Sequence, residues 1–277
     1  MNNSYLMVAG DKQKHLDKLQ YLKCDIAMVN LEDGVWDKDF ARDLVIQNLK
    51  DRNNSNIVVR INSLNSCGRD DIKAINHIKP KAIRVPKIKS IEDIKELLNL
   101  IDKDIDIHLS IETKEAFKNL EDLKIHKRVT TVYLGILDLL ESLGLPQNLL
   151  TLDNPTIDYI LGRFLISSKI AGFEAVSFVF QDYKDTVLFT KWCQKEKDMG
   201  FEAKACISPV QVDIVNKIFA IDEKELKKAK YIKEIFEKNR QNGITGFSDD
   251  RYGFIDEPIY KDAILYLNKI NFTNNSQ

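Results

Sequence analysis

The chain has 277 residues, 44% of them hydrophobic and 30% charged, which is enough for one large domain with a substantial core. With 41 basic and 42 acidic residues the formal net charge is -1, which excludes the electrostatic footprint of a protein that binds nucleic acid or anionic lipid. No apolar run reaches the length of a membrane span and Met1 to Tyr5 does not open a signal segment, so a cytoplasmic location is expected, with no membrane partner.

Short β-branched or aromatic runs predict strands at about 5–9, 25–31, 56–61, 82–87, 105–111, 131–136, 174–180 and 202–207. Helical periods lie between them. Lys38 to Lys50 places Phe40, Leu44, Val45 and Leu49 on one face, and Ser90 to Leu100 does the same with Ile91, Ile94, Leu97 and Leu98. Ser90 followed by Asp93 resembles a weak capping box. Short strands alternating with helices call for parallel pairing through right-handed crossovers, and eight such units can close into a (β/α)8 barrel. In the fifth strand Ile105, Ile107, Leu109 and Ile111 alternate with Asp106, His108, Ser110 and Glu112. The apolar set is expected to face the outer helices and the polar set the barrel interior. An open doubly wound sheet is the alternative, although its central strands are usually apolar on both faces.

Beyond the eighth strand come helices at Lys224 to Asn242 and Glu257 to Ile270, separated by a turn-rich segment, Gly246 to Gly253, that reads as a flexible loop. The tail 271–277 reads as frayed. This divides the chain into a barrel over 1–220 and a helical extension over 221–277, which is expected to pack on a neighbouring subunit. The four cysteines, at 24, 67, 193 and 206, have no metal-site spacing and read as reduced thiols.

Charge gathers at one end of many strands: Glu32 and Asp33, Arg60, Lys87, Glu112 and Asp138 each stand where an apolar run stops. In a parallel barrel those ends open on one rim, the face that carries chemistry. Glu112 and Asp138, at neighbouring strand ends, suit one hard cation such as magnesium, with manganese as a substitute. The competing reading is a salt bridge from either carboxylate to Arg60 or Lys87. Glu32 and Asp33 either orient Arg60 and metal-bound water or cap the following helix. Lys87 either contacts an anionic substrate or is a solvated charge. Asn62 and Ser208 are candidate donors to a substrate carboxylate. His108 reads as an interior group bonded to a neighbour such as Ser110, not as a base.

Seven short motifs, Leu31-Glu-Asp-Gly-Val35, Val59-Arg-Ile-Asn62, Val85-Pro-Lys87, Ile111-Glu-Thr113, Leu134-Gly-Ile-Leu-Asp-Leu139, Ile207-Ser-Pro-Val-Gln211 and Phe254-Ile-Asp-Glu-Pro258, resemble in order and spacing the citrate lyase beta subunit-like branch of the HpcH/HpaI aldolase family. The resemblance implies a TIM barrel, a trimer or hexamer, and a magnesium-dependent carbon–carbon lyase or aldolase. Its substrate would be a small keto or hydroxy acid, in some members an acyl-coenzyme A thioester. It also implies that Glu112 and Asp138 are metal ligands, that Arg60 stabilises developing negative charge, and that Asp256 is an acid supplied by a neighbouring subunit. The pattern is broken at Asn30, Leu137, Ser177 and Ser208, where the family more often has Asp, Glu, Asp and His. Those departures leave open related enolate chemistry, such as thioester hydrolysis or condensation, and a non-catalytic binding subunit.

Overall fold

The computed structural model describes residues 2–274, with side chains as far as Asn268. Two compact units divide the chain, one over 2–219 and one beginning at Ala220.

In the first unit, strands β1 (Ser4–Ala9), β2 (Ile26–Asn30), β3 (Ile57–Arg60), β4 (Ala82–Val85), β5 (Asp106–Ile111), β6 (Val129–Leu134), β7 (Glu174–Ser177) and β8 (Ala203–Cys206) form a closed barrel in sequence order. Every pairing is parallel, β8 returning to β1 through Ser4 opposite Lys204 and its two successors. The open-sheet alternative is therefore excluded. Several strands end earlier than their apolar runs suggest. Pro86 cannot donate to a ladder, and Lys87 turns the chain with φ 55°, so β4 stops at Val85. Ile136 belongs to the helix Ile136–Ser142, with Gly135 at its N-cap.

Alternation decides the two sides of the wall. Ile105, Ile107, Leu109 and Ile111 enter the large core between sheet and helices. A second core fills the barrel with Tyr5, Met28, Val58, Ala82, Tyr133, Val176 and neighbours. His108 is interior, as expected, but its Nδ1 meets Tyr133 Oη at 2.9 Å, while Ser110 Oγ accepts from Arg84. The helix Lys38–Leu49 buries Ala41, Val45 and Leu49, and Phe40 is turned outward at 54% exposure, a correction to its expected inward face. The helix Ile91–Leu100 opens with a complete capping box: Ser90 Oγ accepts from Asp93 N and Asp93 Oδ2 accepts from Ser90 N.

The second unit contains the helices Glu223–Gln241 and Glu257–Asn274 and the strands β9 (Gly246–Asp249) and β10 (Gly253–Asp256), paired antiparallel. The segment expected as a flexible loop is thus a hairpin. Asp249 Oδ1 accepts from the amides of Arg251 and Tyr252 and closes the turn, and Gly253 supplies φ 74°. Phe236 stacks on Tyr260 at 4.6 Å within a small core that includes Ile232 and Ile255. Of the tail expected to fray, 271–274 continue the last helix, and 275–277 lie outside the described residues.

Candidate active site

A cavity of about 260 Å³ opens at the carboxyl ends of the barrel strands, and its lining includes Asn30, Asp33, Arg60, Arg84, Glu112 and Asp138. Glu112 follows β5 and is buried, whereas Asp138 sits exposed in the first turn of the helix after β6. Glu112 Oε1 accepts the Lys87 amide at 2.8 Å, a contact that depends on the left-handed turn at Lys87. Glu112 Oε2 lies beside Gly135, where an added Cβ would stand 2.8 Å from it and 2.6 Å from Glu112 Cβ. Position 135 is therefore closed to any side chain by the carboxylate it accommodates. Burial pushes the Glu112 carboxyl up, opposed by Arg60 and Arg84 and reinforced by the like charge of Asp138.

This donor set fits a hard divalent cation. Two carboxylates converge on a cavity, and their mutual repulsion is what a cation relieves. Among the described residues no three His, Cys, Asp or Glu side chains form a metal cage, so water or substrate would complete the coordination, as magnesium tolerates.

Arg60, at the end of β3, is clamped by two acids. Its Nη2 pairs with Glu32 Oε2 and lies 3.1 Å from Asp33 Oδ2, while its Nε has no hydrogen-bond partner among the described residues. Of the two readings of Glu32 and Asp33, the structure shows the one that orients Arg60; the helix N-cap is Asp37, whose side chain accepts from Phe40 N. Burial pushes Glu32 up to about 7 against the pull of Arg60. Asp33, although partly buried, is held below the usual carboxylate range by Arg60 and, to a smaller extent, by Lys87.

Three expected site residues make hydrogen bonds within the protein. Both Asn62 Nδ2 protons are spent inside the protein, on Leu31 O at 3.0 Å and Asp71 Oδ2 at 2.8 Å, which leaves no amide donor for substrate. Ser208 is the N-cap of the helix Pro209–Ile218, its Oγ accepting from Gln211 N, and it does not line the cavity. Asp256 belongs to the second unit, where its Oδ1 accepts the Ile259 amide at the start of the last helix. Of the sites where the family pattern is broken, Asn30 and Leu137 line the cavity, but Ser177 faces the buried Glu196–Lys204 pair outside the barrel. Arg84, a buried guanidinium in the cavity wall, is a site residue that the sequence did not single out. Its only signal was a charge inside the short run of β4.

The family model described as HpcH/HpaI aldolase/citrate lyase matches residues 3–209, the whole of the barrel but its last helix. The chain belongs to that family. Among its relatives, a (3S)-malyl-CoA thioesterase of Cereibacter sphaeroides is 30% identical over 245 residues, covering 87% of this chain and 85% of the relative. Citrate lyase subunit beta of Leuconostoc mesenteroides is 28% identical over 274 residues, covering 94% and 90%. Human mitochondrial citramalyl-CoA lyase is 25% identical over 283 residues, covering 93% and 82%. Solved structures share the fold. A citrate lyase from Burkholderia xenovorans superposes with a TM-score of 0.86 at 18% identity over 99% of this chain and 93% of its own. CitE of Mycobacterium tuberculosis, solved with magnesium, acetoacetate and coenzyme A, gives 0.79 at 20% identity over 96% and 97%.

Proposed function

We propose that this family member is a magnesium-dependent lyase that breaks or makes a carbon–carbon bond beside a carbonyl in a small keto or hydroxy acid, or in its coenzyme A thioester. The observation that carries the reading is the meeting of Arg60, Glu112 and Asp138 in one cavity at the carboxyl rim of the barrel. Lyase relatives with citramalyl-CoA and citrate as substrates support it, as does the magnesium in the M. tuberculosis structure.

Glu112 and Asp138 would hold the ion. When bound, magnesium would polarise the substrate's oxygens and take up part of the charge that forms on cleavage. Arg60 brings a second, permanent positive charge to the same place. Fixed by Glu32 and Asp33, its planar fork needs no reorganisation as an enolate oxygen develops. Asp256 from a second copy of the chain would move the proton, in a trimer or hexamer, and the extension from residue 221 would be the part that packs on the neighbour. Free cysteines throughout support an intracellular, cytoplasmic enzyme, and among the described residues no helix is long and apolar enough to cross a membrane.

The test is release of keto acid from malyl-, citramalyl- and citryl-type thioesters with and without magnesium, in wild type and Arg60→Lys. Magnesium-dependent release is expected, with kcat lowered ~100-fold or more and KM little changed in the variant, because a point charge does not replace a fork aimed at the transition state. Equal activity of the lysine enzyme would remove Arg60 from the mechanism. Thioester hydrolysis is a second reading, supported by the malyl-CoA thioesterase relatives. It is distinguished by free thiol appearing while the acid's carbon skeleton stays intact.

A further inference from the structure

Two guanidiniums face the cavity, and they are provided for differently. Arg60 has Glu32 and Asp33, whereas Arg84 has no carboxylate within ion-pair distance among the described residues. Arg84 is nonetheless only 5% exposed. Its register partner on β3 is Arg60, whose like charge repels it, while Glu112 and Glu32 attract it only from beyond ion-pair distance. A buried, unpaired charge is costly, and proteins rarely keep one unless something supplies the counter-charge.

The side chain is also held still. Nε donates to Ser110 Oγ at 2.9 Å, Nη1 lies 3.5 Å from Met28 Sδ, and the guanidinium carbon stands 4.1 Å over the Tyr133 ring. Tyr133 is fixed in turn by His108. Nη2 has no partner among the described residues. A planar, oriented donor with one edge unused, in the wall of a cavity that already has an anion-stabilising arginine, is the equipment for binding a carboxylate.

We infer that Arg84 receives a second carboxylate of the substrate, so that the site selects keto or hydroxy acids with two carboxylates over those with one. The inference rests on the lyase reading above, in which the first carboxylate and adjacent carbonyl lie at the Glu112–Asp138 end. A cavity of about 260 Å³ accommodates a short diacid.

Oxaloacetate and 2-oxobutanoate test it, since they share a four-carbon 2-oxo acid and differ only in a terminal carboxylate or methyl. Calorimetry with magnesium present would give the ratio of their affinities for the full chain. Wild type should favour oxaloacetate roughly 10- to 100-fold, the span of one charge-assisted hydrogen bond. Arg84→Met should bring the ratio close to one, and Arg84→Lys should restore part of it. A merely structural arginine would weaken both acids together and leave the ratio unchanged, which would overturn the inference. So would a wild-type ratio near one, a measurement that holds even if Arg84→Met does not fold. If neither acid binds while magnesium does, the keto-acid reading of the site fails, and the part given to Arg84 fails with it.

Discussion

Gly135→Ala isolates the geometry of the proposed metal site without removing any ligand. The backbone at 135 has φ -87° and ψ 72°, which alanine adopts, so the cost is one of contact alone. The new methyl would lie 2.6 Å from Glu112 Cβ and 2.8 Å from Oε2, closer than carbon and oxygen tolerate, and β5 holds Glu112 against retreat. Two outcomes share the strain. Overpacking of this kind costs about 1–3 kcal/mol in stability. If the carboxylate swings away, it gives up its hydrogen bond from the Lys87 amide, worth about 1.5–3 kcal/mol for a charged acceptor. A ligand displaced in this way should bind magnesium about 10–100-fold more weakly, the effect typical of disturbed support around a metal ligand. At 2–4 °C per kcal/mol, the melting temperature should fall by roughly 2–12 °C. Calorimetric magnesium titration and thermal melting measure the two effects, with Glu112→Ala as the reference for complete loss of the ligand. Wild-type metal affinity together with a wild-type melting temperature in Gly135→Ala would refute the placement of Glu112 and its part in metal binding.

Other expected outcomes follow from the charges. Glu32, raised to about 7 in the fold, binds a proton that the unfolded chain releases near 4.5, so its contribution makes stability fall as pH rises through that window. Urea melts at pH 5 and 7.5 should show wild type losing more stability than Glu32→Gln, by on the order of 1–3 kcal/mol. Burial holds His108 down near 3, which acts with the opposite sign between about 3 and 6.5 and cancels in that difference; equal slopes in the two proteins would disprove the Glu32 assignment. Lys204 and Glu196 are both fully buried and paired at 2.7 Å, so Lys204→Met strands a carboxylate and should cost about 3–5 kcal/mol, with most of it regained in Lys204→Met/Glu196→Leu. A single-variant loss under about 1 kcal/mol in chemical denaturation would contradict the coupling. Finally, inactive Asp256→Asn and inactive Arg60→Ala chains should regain activity when mixed under subunit exchange, if Asp256 serves a neighbour's cavity with the roughly 10²–10⁴-fold weight of a general acid or base. Full activity of Asp256→Asn alone, or no recovery in verified hybrids, would defeat that role.

Much of this protein can be read from local pattern. Eight short strands between amphipathic helices, and the alternation of β5, specify a closed parallel barrel, because side-chain period and crossover handedness are local properties. The rim position of Glu112, Asp138 and Arg60 follows from where the apolar runs stop, and the Ser90–Asp93 capping box spans only four residues. Other features depended on residues distant in sequence. Asn62 looked like a free donor until the fold brought Asp71 and Leu31 to it. Gly246 to Gly253 has the composition of a loop, and only pairing between β9 and β10 makes it a hairpin. Arg84 sits on a four-residue strand with two inward positions, too few to show a period, and its environment comes from β2, β5 and β6. A barrel interior is assembled across strands that are close in space and far apart in sequence. Which side chains line it is therefore written locally, whereas which of them remain without a partner is decided only when the barrel closes.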